Sequence, residues 1–178
     1  MVALESRPAN MEGKGEVSIR DLVKNALRMR PDRIVVGECR GAEALDMLQA
    51  MNTGHAGSLT TTHANSPAEA LSRLETLCLM AGLGLPLSAI RAQLAASVNL
   101  VVQQARLNDG SRRITSIAEL AGLSKDGEVR LRPIFEFAQH GVRADGTIEG
   151  RHQPTGYLPS FLHELIVKGI IRQGEAWL

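Results

Sequence analysis

Aromatic side chains are scarce: one Trp, one Tyr and three Phe in 178 residues. Any core must be built from Leu, Ile, Val, Ala and Met, without large ring anchors. Cysteine is nearly absent too. Cys39 and Cys78 match no metal spacing and read as reduced thiols, not as a disulfide framework. No apolar run reaches the ~18 residues that a membrane-crossing helix needs, and residues 1–10 lack the apolar stretch of a signal peptide. An excess of either charge is missing: 20 Lys plus Arg against 19 Asp plus Glu leave +1, so net charge makes no case for nucleic acid or a membrane surface. A cytosolic protein is expected, with any membrane contact peripheral or through a partner. One further absence bears on chemistry. No G-x-x-x-x-G-K-S/T occurs, and residues 12–16, reading EGKGE, only imitate one, because the lysine stands between glycines and no Ser or Thr follows it.

What is present is ordered along the chain. Ser18, with Asp21 at the third position, opens a helix whose apolar stripe is Leu22, Ala26 and Leu27, and Pro31 stops it. Residues 2–5 read as a short strand. Residues 34–36 form a wholly apolar, β-branched run, the pattern of a strand covered on both faces. A helix is predicted over 41–51 and a strand over 58–62. Two further helices follow, the first opened by Ser66-Pro67 and the second running from 86 to 98. A hairpin around Asp109-Gly110 joins strands at 99–107 and 113–120. Beyond Gly122 the texture changes: an extended segment over 129–137, a glycine-rich stretch over 141–156 without periodicity, and a terminal helix over 159–169 with Phe161, Leu162, Leu165 and Ile166 on its apolar face. The expected division is an α/β part over 1–122 and a mixed appendage over 123–178.

The chemistry gathers at two places. In α/β sheets, working groups stand at the carboxyl ends of strands, and the RIVVGE run at 33–38 ends on Gly37 and Glu38. A carboxylate there either holds Mg²⁺ and orients an attacking water or simply caps the next helix, whose N-terminus favours an anion. Arg40 can pair with Glu38 or Glu43. His55 and His63 bracket Thr60, Thr61 and Thr62. If the two strands are parallel, His63 shares an edge with Glu38 and is suited to sensing a terminal phosphate. His55 then lies near the opposite edge. The alternative is that both histidines satisfy loop carbonyls. Arg20, Lys24 and Arg28 recur every four residues on one helix face with no matching acidic row, which reads equally as a phosphate or subunit contact and as a solvated face.

ESRPAN at 5–10, the whole run over 19–77, SRRITSIAEL at 111–120 and TGYLPSFLHEL at 155–165 resemble the type II/type IV secretion ATPase superfamily, especially its tight-adherence (Flp) pilus branch. The resemblance implies a RecA-like P-loop NTPase core and a homo-hexameric cytoplasmic ring docked on inner-membrane pilus or secretion platform proteins, using ATP and Mg²⁺. It makes 33–38 the Walker B box, with Gly37 and Glu38, and 54–64 the histidine box, with His55 and His63. Arginines that reach nucleotide across a subunit boundary match Arg7, Arg20 and Arg28. The implied catalytic set is Glu38, His63 and Arg20, with Glu38 on the metal. The family's Walker A loop and catalytic glutamate have no counterpart in these residues. The fold expected is therefore a partial core without its Walker A half, leaving apolar faces uncovered. The 178 residues alone are expected neither to bind ATP tightly nor to hydrolyse it. The competing expectation is a non-catalytic subunit that docks on the ring or its platform.

Overall fold

The computed structural model describes residues 1–172. Its elements run α1 (Ile19–Arg28), β1 (Val35–Val36), α2 (Glu43–Asn52), β2 (Leu59–Thr60), α3 (Pro67–Leu79), α4 (Leu87–Ser97), β3 (Leu100–Arg106), β4 (Arg112–Leu123), β5 (Val129–Val142), β6 (Ile148–Pro154) and α5 (Leu162–Val167). They fall into two compact units: residues 1–64 with 69–98, and residues 65–68 with the chain from Asn99 onward. The division lies at Val98/Asn99, not near 122, because β3 and β4 join the same antiparallel sheet as β5 and β6. The appendage read over 123–178 also runs past the described residues at 173–178.

In the first unit the capping box forms as expected. The Asp21 N–H donates to the Ser18 hydroxyl, and the Ser18 N–H donates to the Asp21 carboxylate at 3.1 Å. Two orphan amides at the start of α1 are thereby satisfied. β1 and β2 pair in parallel, Val35 with Leu59 and Val36 with Thr60, connected through α2. The core is aliphatic. α2 packs on α4, and the buried side chains are Leu45, Met47 and Leu48 of α2, Ile90 and Leu94 of α4, and Leu71, Leu74 and Leu77 of α3. β1 is covered on one face only: Val36 is 6% exposed, Val35 70% and its cross-strand partner Leu59 62%. Successive strand side chains point to opposite faces, and the helices of this unit cover just one of them. Residues 2–5 form no strand; the one pairing there is the bridge of Arg7 with Val17.

The second unit is a four-stranded meander, β3-β4-β5-β6. Its three hairpins share one chemistry. Asp109-Gly110, Asp126-Gly127 and Asp145-Gly146 each put the glycine at positive φ, at 82°, 78° and 86°. Each glycine N–H donates to the carbonyl three residues earlier, at 2.9, 3.1 and 2.9 Å. This is the type I turn with a left-handed glycine that closes short hairpins. β6, unrecognised in the glycine-rich stretch, pairs along β5 from Phe135–Pro154 to Val142–Ile148. Ala118, Leu120, Ile134 and Ile148 are its buried apolar residues. α5 forms, but none of its side chains is buried.

Candidate functional site

Two backbone strands fix the site. Past the β1–β2 pairing, the Cys39 N–H donates to the Thr61 carbonyl at 3.0 Å, and the Thr61 hydroxyl donates to the Gly37 carbonyl at 2.6 Å. The two carboxyl-end loops are thus held side by side. Glu38 and His63 emerge from them on the same edge, with Glu38 Oε1 3.0 Å from His63 Nε2. The other carboxylate oxygen, Oε2, accepts from Arg40 Nε at 2.6 Å. The Arg40 hydrogen bond, aided by the positive charge of Arg40, His63 and Arg73, holds the Glu38 carboxyl below its ordinary range against a smaller upward push from burial. It is an ionised carboxylate, 18% exposed, facing a histidine that is 83% exposed.

Glu38 does not cap the next helix. No side chain caps α2; Glu43, its first residue, instead turns back so that its Oε1 accepts the Arg40 N–H at 2.6 Å and the Gly41 N–H at 2.9 Å of the preceding loop. That assignment leaves the Glu38 carboxylate directed to side chains and to whatever approaches the edge. Gly37 is exposed, and a Cβ built there would meet nothing within 4 Å, so the approach beside Glu38 is open. Two of the three threonine hydroxyls find partners in the chain, Thr60 on Cys39 Sγ at 3.3 Å and Thr61 on Gly37. The Thr62 hydroxyl is buried with no partner among the described residues.

The other expected site residues lie elsewhere. His55 stands before β2, its Nδ1 3.2 Å from the Ala50 carbonyl, and the Ser58 hydroxyl donates to the His55 carbonyl while accepting the Ile34 N–H. It organises the amino end of the two strands and is not brought to Glu38. Arg7 Nε donates to the Gly15 carbonyl at 2.8 Å and so closes its own loop. Arg28 is exposed in the last turn of α1, beside an open groove of about 310 Å³ that Lys24 and Asn25 also line. The cation row on α1 does have an acidic partner. Asp46 of α2, buried, accepts from Arg20 Nε at 2.6 Å and has Lys24 Nζ at 3.8 Å. Sequence reasoning missed Asp46 because its partners precede it on another helix, beyond any local spacing rule.

Among the described residues no group of three or more His, Cys, Asp or Glu is arranged to hold a metal ion. A hard cation at Glu38 would have one protein carboxylate and would draw its other ligands from water and phosphate, the usual mode for Mg²⁺. The donor chemistry fits that ion on its protein side.

The profile of the family described as Type II/IV secretion system protein matches residues 4–132. The chain belongs to that family. Among curated relatives, a putative conjugal transfer protein of Mycobacterium tuberculosis is 52% identical over 145 residues, 82% of this chain and 40% of that protein. The type IV secretion system protein PtlH of Bordetella pertussis is 42% identical over 100 residues, 54% of this chain and 30% of that protein. The chain thus spans well under half the length of these relatives. Among solved structures, the VirB11 ATPase of the Brucella suis type IV secretion system, in complex with sulphate, aligns over 58% of this chain and 32% of its own, with 36% identity and a TM-score of 0.55. The mixed α/β fold is that of a partial P-loop ATPase core of the secretion family. No helix among the described residues is long and apolar enough to cross a membrane.

Proposed function

We propose that this family member contributes the metal-side and sensing residues of an ATP-hydrolysing motor that powers type II/IV secretion or assembly of a tight-adherence pilus. The observation that carries this reading is the 3.0 Å pair of Glu38 and His63 on one edge of two parallel strands. Bound Mg²⁺ would neutralise charge on the nucleotide phosphates. On the protein side, Glu38 supplies the carboxylate that holds that ion and orients the attacking water. Gly37 leaves the approach clear. His63, exposed and joined to Glu38, reports whether a terminal phosphate is present. Arg40 keeps the carboxylate ionised and aimed. Arg20, positioned by Asp46, with Arg7 and Arg28, supplies cations for nucleotide contact at a subunit boundary. His55 supports the nucleotide loop from the far end of β2. The same reading has the motor as a homo-hexameric ring, cytoplasmic and peripheral at the inner membrane, bearing on platform proteins and not on nucleic acid.

A second reading, a non-catalytic subunit docking on such a ring or its platform, is favoured by the absence of a phosphate-loop motif from these residues. One graft separates the two. This chain's matched segment replaces its counterpart in the whole mycobacterial relative, and phosphate release is followed. The motor reading expects turnover, and expects Glu38→Gln to lower kcat by about a hundredfold or more with oligomer mass unchanged. Turnover that ignores Glu38→Gln refutes the assignment of Glu38. A graft that assembles and never turns over leaves the docking reading standing.

A further inference from the structure

SRRITSIAEL and TGYLPSFLHEL take no part in the Glu38 site, yet the structure joins them at a single carboxylate. Glu119, in the middle of β4, is 3% exposed. It accepts the Tyr157 hydroxyl at 2.8 Å, the Ser160 N–H at 3.1 Å and, in a short bond, the Ser160 hydroxyl. Burial pushes the Glu119 carboxyl up, and the bonds from Ser160 and Tyr157 together outweigh it, leaving the group below its ordinary range. In return the bond to Glu119 raises the Tyr157 hydroxyl. A buried carboxylate without donors costs several hydrogen bonds' worth of solvation. Here the donors come from a segment about forty residues further on.

Between Gly156 and Ile171, the hydrogen bonds of that segment to the sheet all end on Glu119. Its ladder contacts end at Thr155, whose N–H donates to the Ile134 carbonyl at 3.0 Å and whose hydroxyl donates to the Pro133 carbonyl at 2.5 Å. Pro159 is buried, but α5 buries no side chain. Leu162, Leu165 and Ile166 are half-buried, and Val167 and Ile170 are exposed at 71% and 66%. The anchoring is concentrated at Glu119 instead of being spread along the helix.

We propose that residues 156–171 form a strap latched to the four-stranded sheet by Glu119, and that the strap opens as a unit, with the sheet still folded, when that carboxylate is lost. The latch then governs how much of the apolar row on α5 is accessible. Local units of this kind open with their own free energy, distinct from global unfolding. Hydrogen exchange on the 178-residue chain at neutral pH tests the claim. Glu119→Gln is expected to speed exchange at Tyr157, Ser160 and 161–167 by about tenfold or more, while amides in the β4–β5 ladder around Ile117 and Phe135 keep their protection. Unchanged protection at 157–167 overturns the latch. Equal acceleration in β4 and β5 overturns the strap as a separate unit. Should Glu119→Gln fail to fold, Tyr157→Phe with Ser160→Ala removes the hydroxyl donors from the strap side. Selective release of 157–167 in that variant supports the latch, and retained protection overturns it.

Discussion

Replacing Arg20 by Gln should destabilise the first unit more than replacing its partner Asp46 by Asn. The two side chains meet at 2.6 Å, but they are not equally wet: 30% of the arginine side chain is exposed and 9% of the aspartate. A fully exposed pair would contribute ~0–1 kcal/mol, and breaking a fully buried one would cost ~3–5 kcal/mol. This pair lies between those limits. Removing Arg20 leaves a buried carboxylate whose remaining cation, Lys24, stands at 3.8 Å on a side chain 54% exposed. That lysine can lean in and recover part of the loss, so a cost of about 2 kcal/mol is expected. Removing the Asp46 charge strands only a guanidinium that water already reaches, and about 1 kcal/mol is expected. The coupling in a double-mutant cycle should be about 1 kcal/mol. Urea unfolding followed by far-ultraviolet circular dichroism reads α1 to α4, and the slope with denaturant should not change between variants. A coupling indistinguishable from zero, or an Asp46→Asn variant costlier than Arg20→Gln, would refute the reasoning. It would mean that Arg20 is not held within its own chain in solution.

Other expectations follow from the geometry. The Ile148 N–H, then the Ser111 hydroxyl and N–H, pull the Asp109 carboxyl down to about 2. A depressed folded pKa contributes stability that is fully present above the unfolded value of 3.8 and is lost as pH falls toward 2. Thermal unfolding of the second unit should therefore weaken across that acid window, and Asp109→Asn should flatten its share of the slope. Gly150→Ala would drive a Cβ onto the Phe137 ring and to 2.7 Å from the Ala138 carbonyl. A loss of about 1–3 kcal/mol from overpacking is expected in thermal melts, and an unchanged melting temperature would contradict the β5–β6 register. Burial raises both thiols, Cys39 upward and Cys78 to about 12. A disulfide reagent at mild alkaline pH should find neither until the first unit unfolds, so a fast stoichiometric phase would contradict their placement.

What was legible in the sequence was what short-range chemistry specifies. Ser18 with Asp21 announced α1, Asp109-Gly110 announced its hairpin, and two boxes ending at Glu38 and His63 needed only parallel pairing to meet. What escaped has a common cause. Asp126-Gly127 and Asp145-Gly146 make the same turn as Asp109-Gly110, but the stretch over 141–156 around the second lacks apolar periodicity, and β6 was lost with it. The alternation fails because three of the seven β6 residues are charged or glycine, on a partly wet sheet where cross-strand packing and not period sets the strand. Val35 misled in the opposite sense. A β-branched run specifies extended backbone, not whether a second layer covers it. The carboxylates were hardest. Glu38, Glu43, Asp46 and Glu119 look alike as residues, yet one faces the strand edge, one ties down the loop before α2, one holds α1 and one latches the tail. Local donors serve Glu43, through the Arg40 and Gly41 amides, and one oxygen of Glu38, through Arg40; the rest come from elsewhere in the fold: His63 to Glu38, Arg20 with Lys24 to Asp46, and Tyr157 with Ser160 to Glu119. A buried acid must find donors wherever folding supplies them. Its function is therefore a property of tertiary structure, even where the element that carries it can be read from the chain.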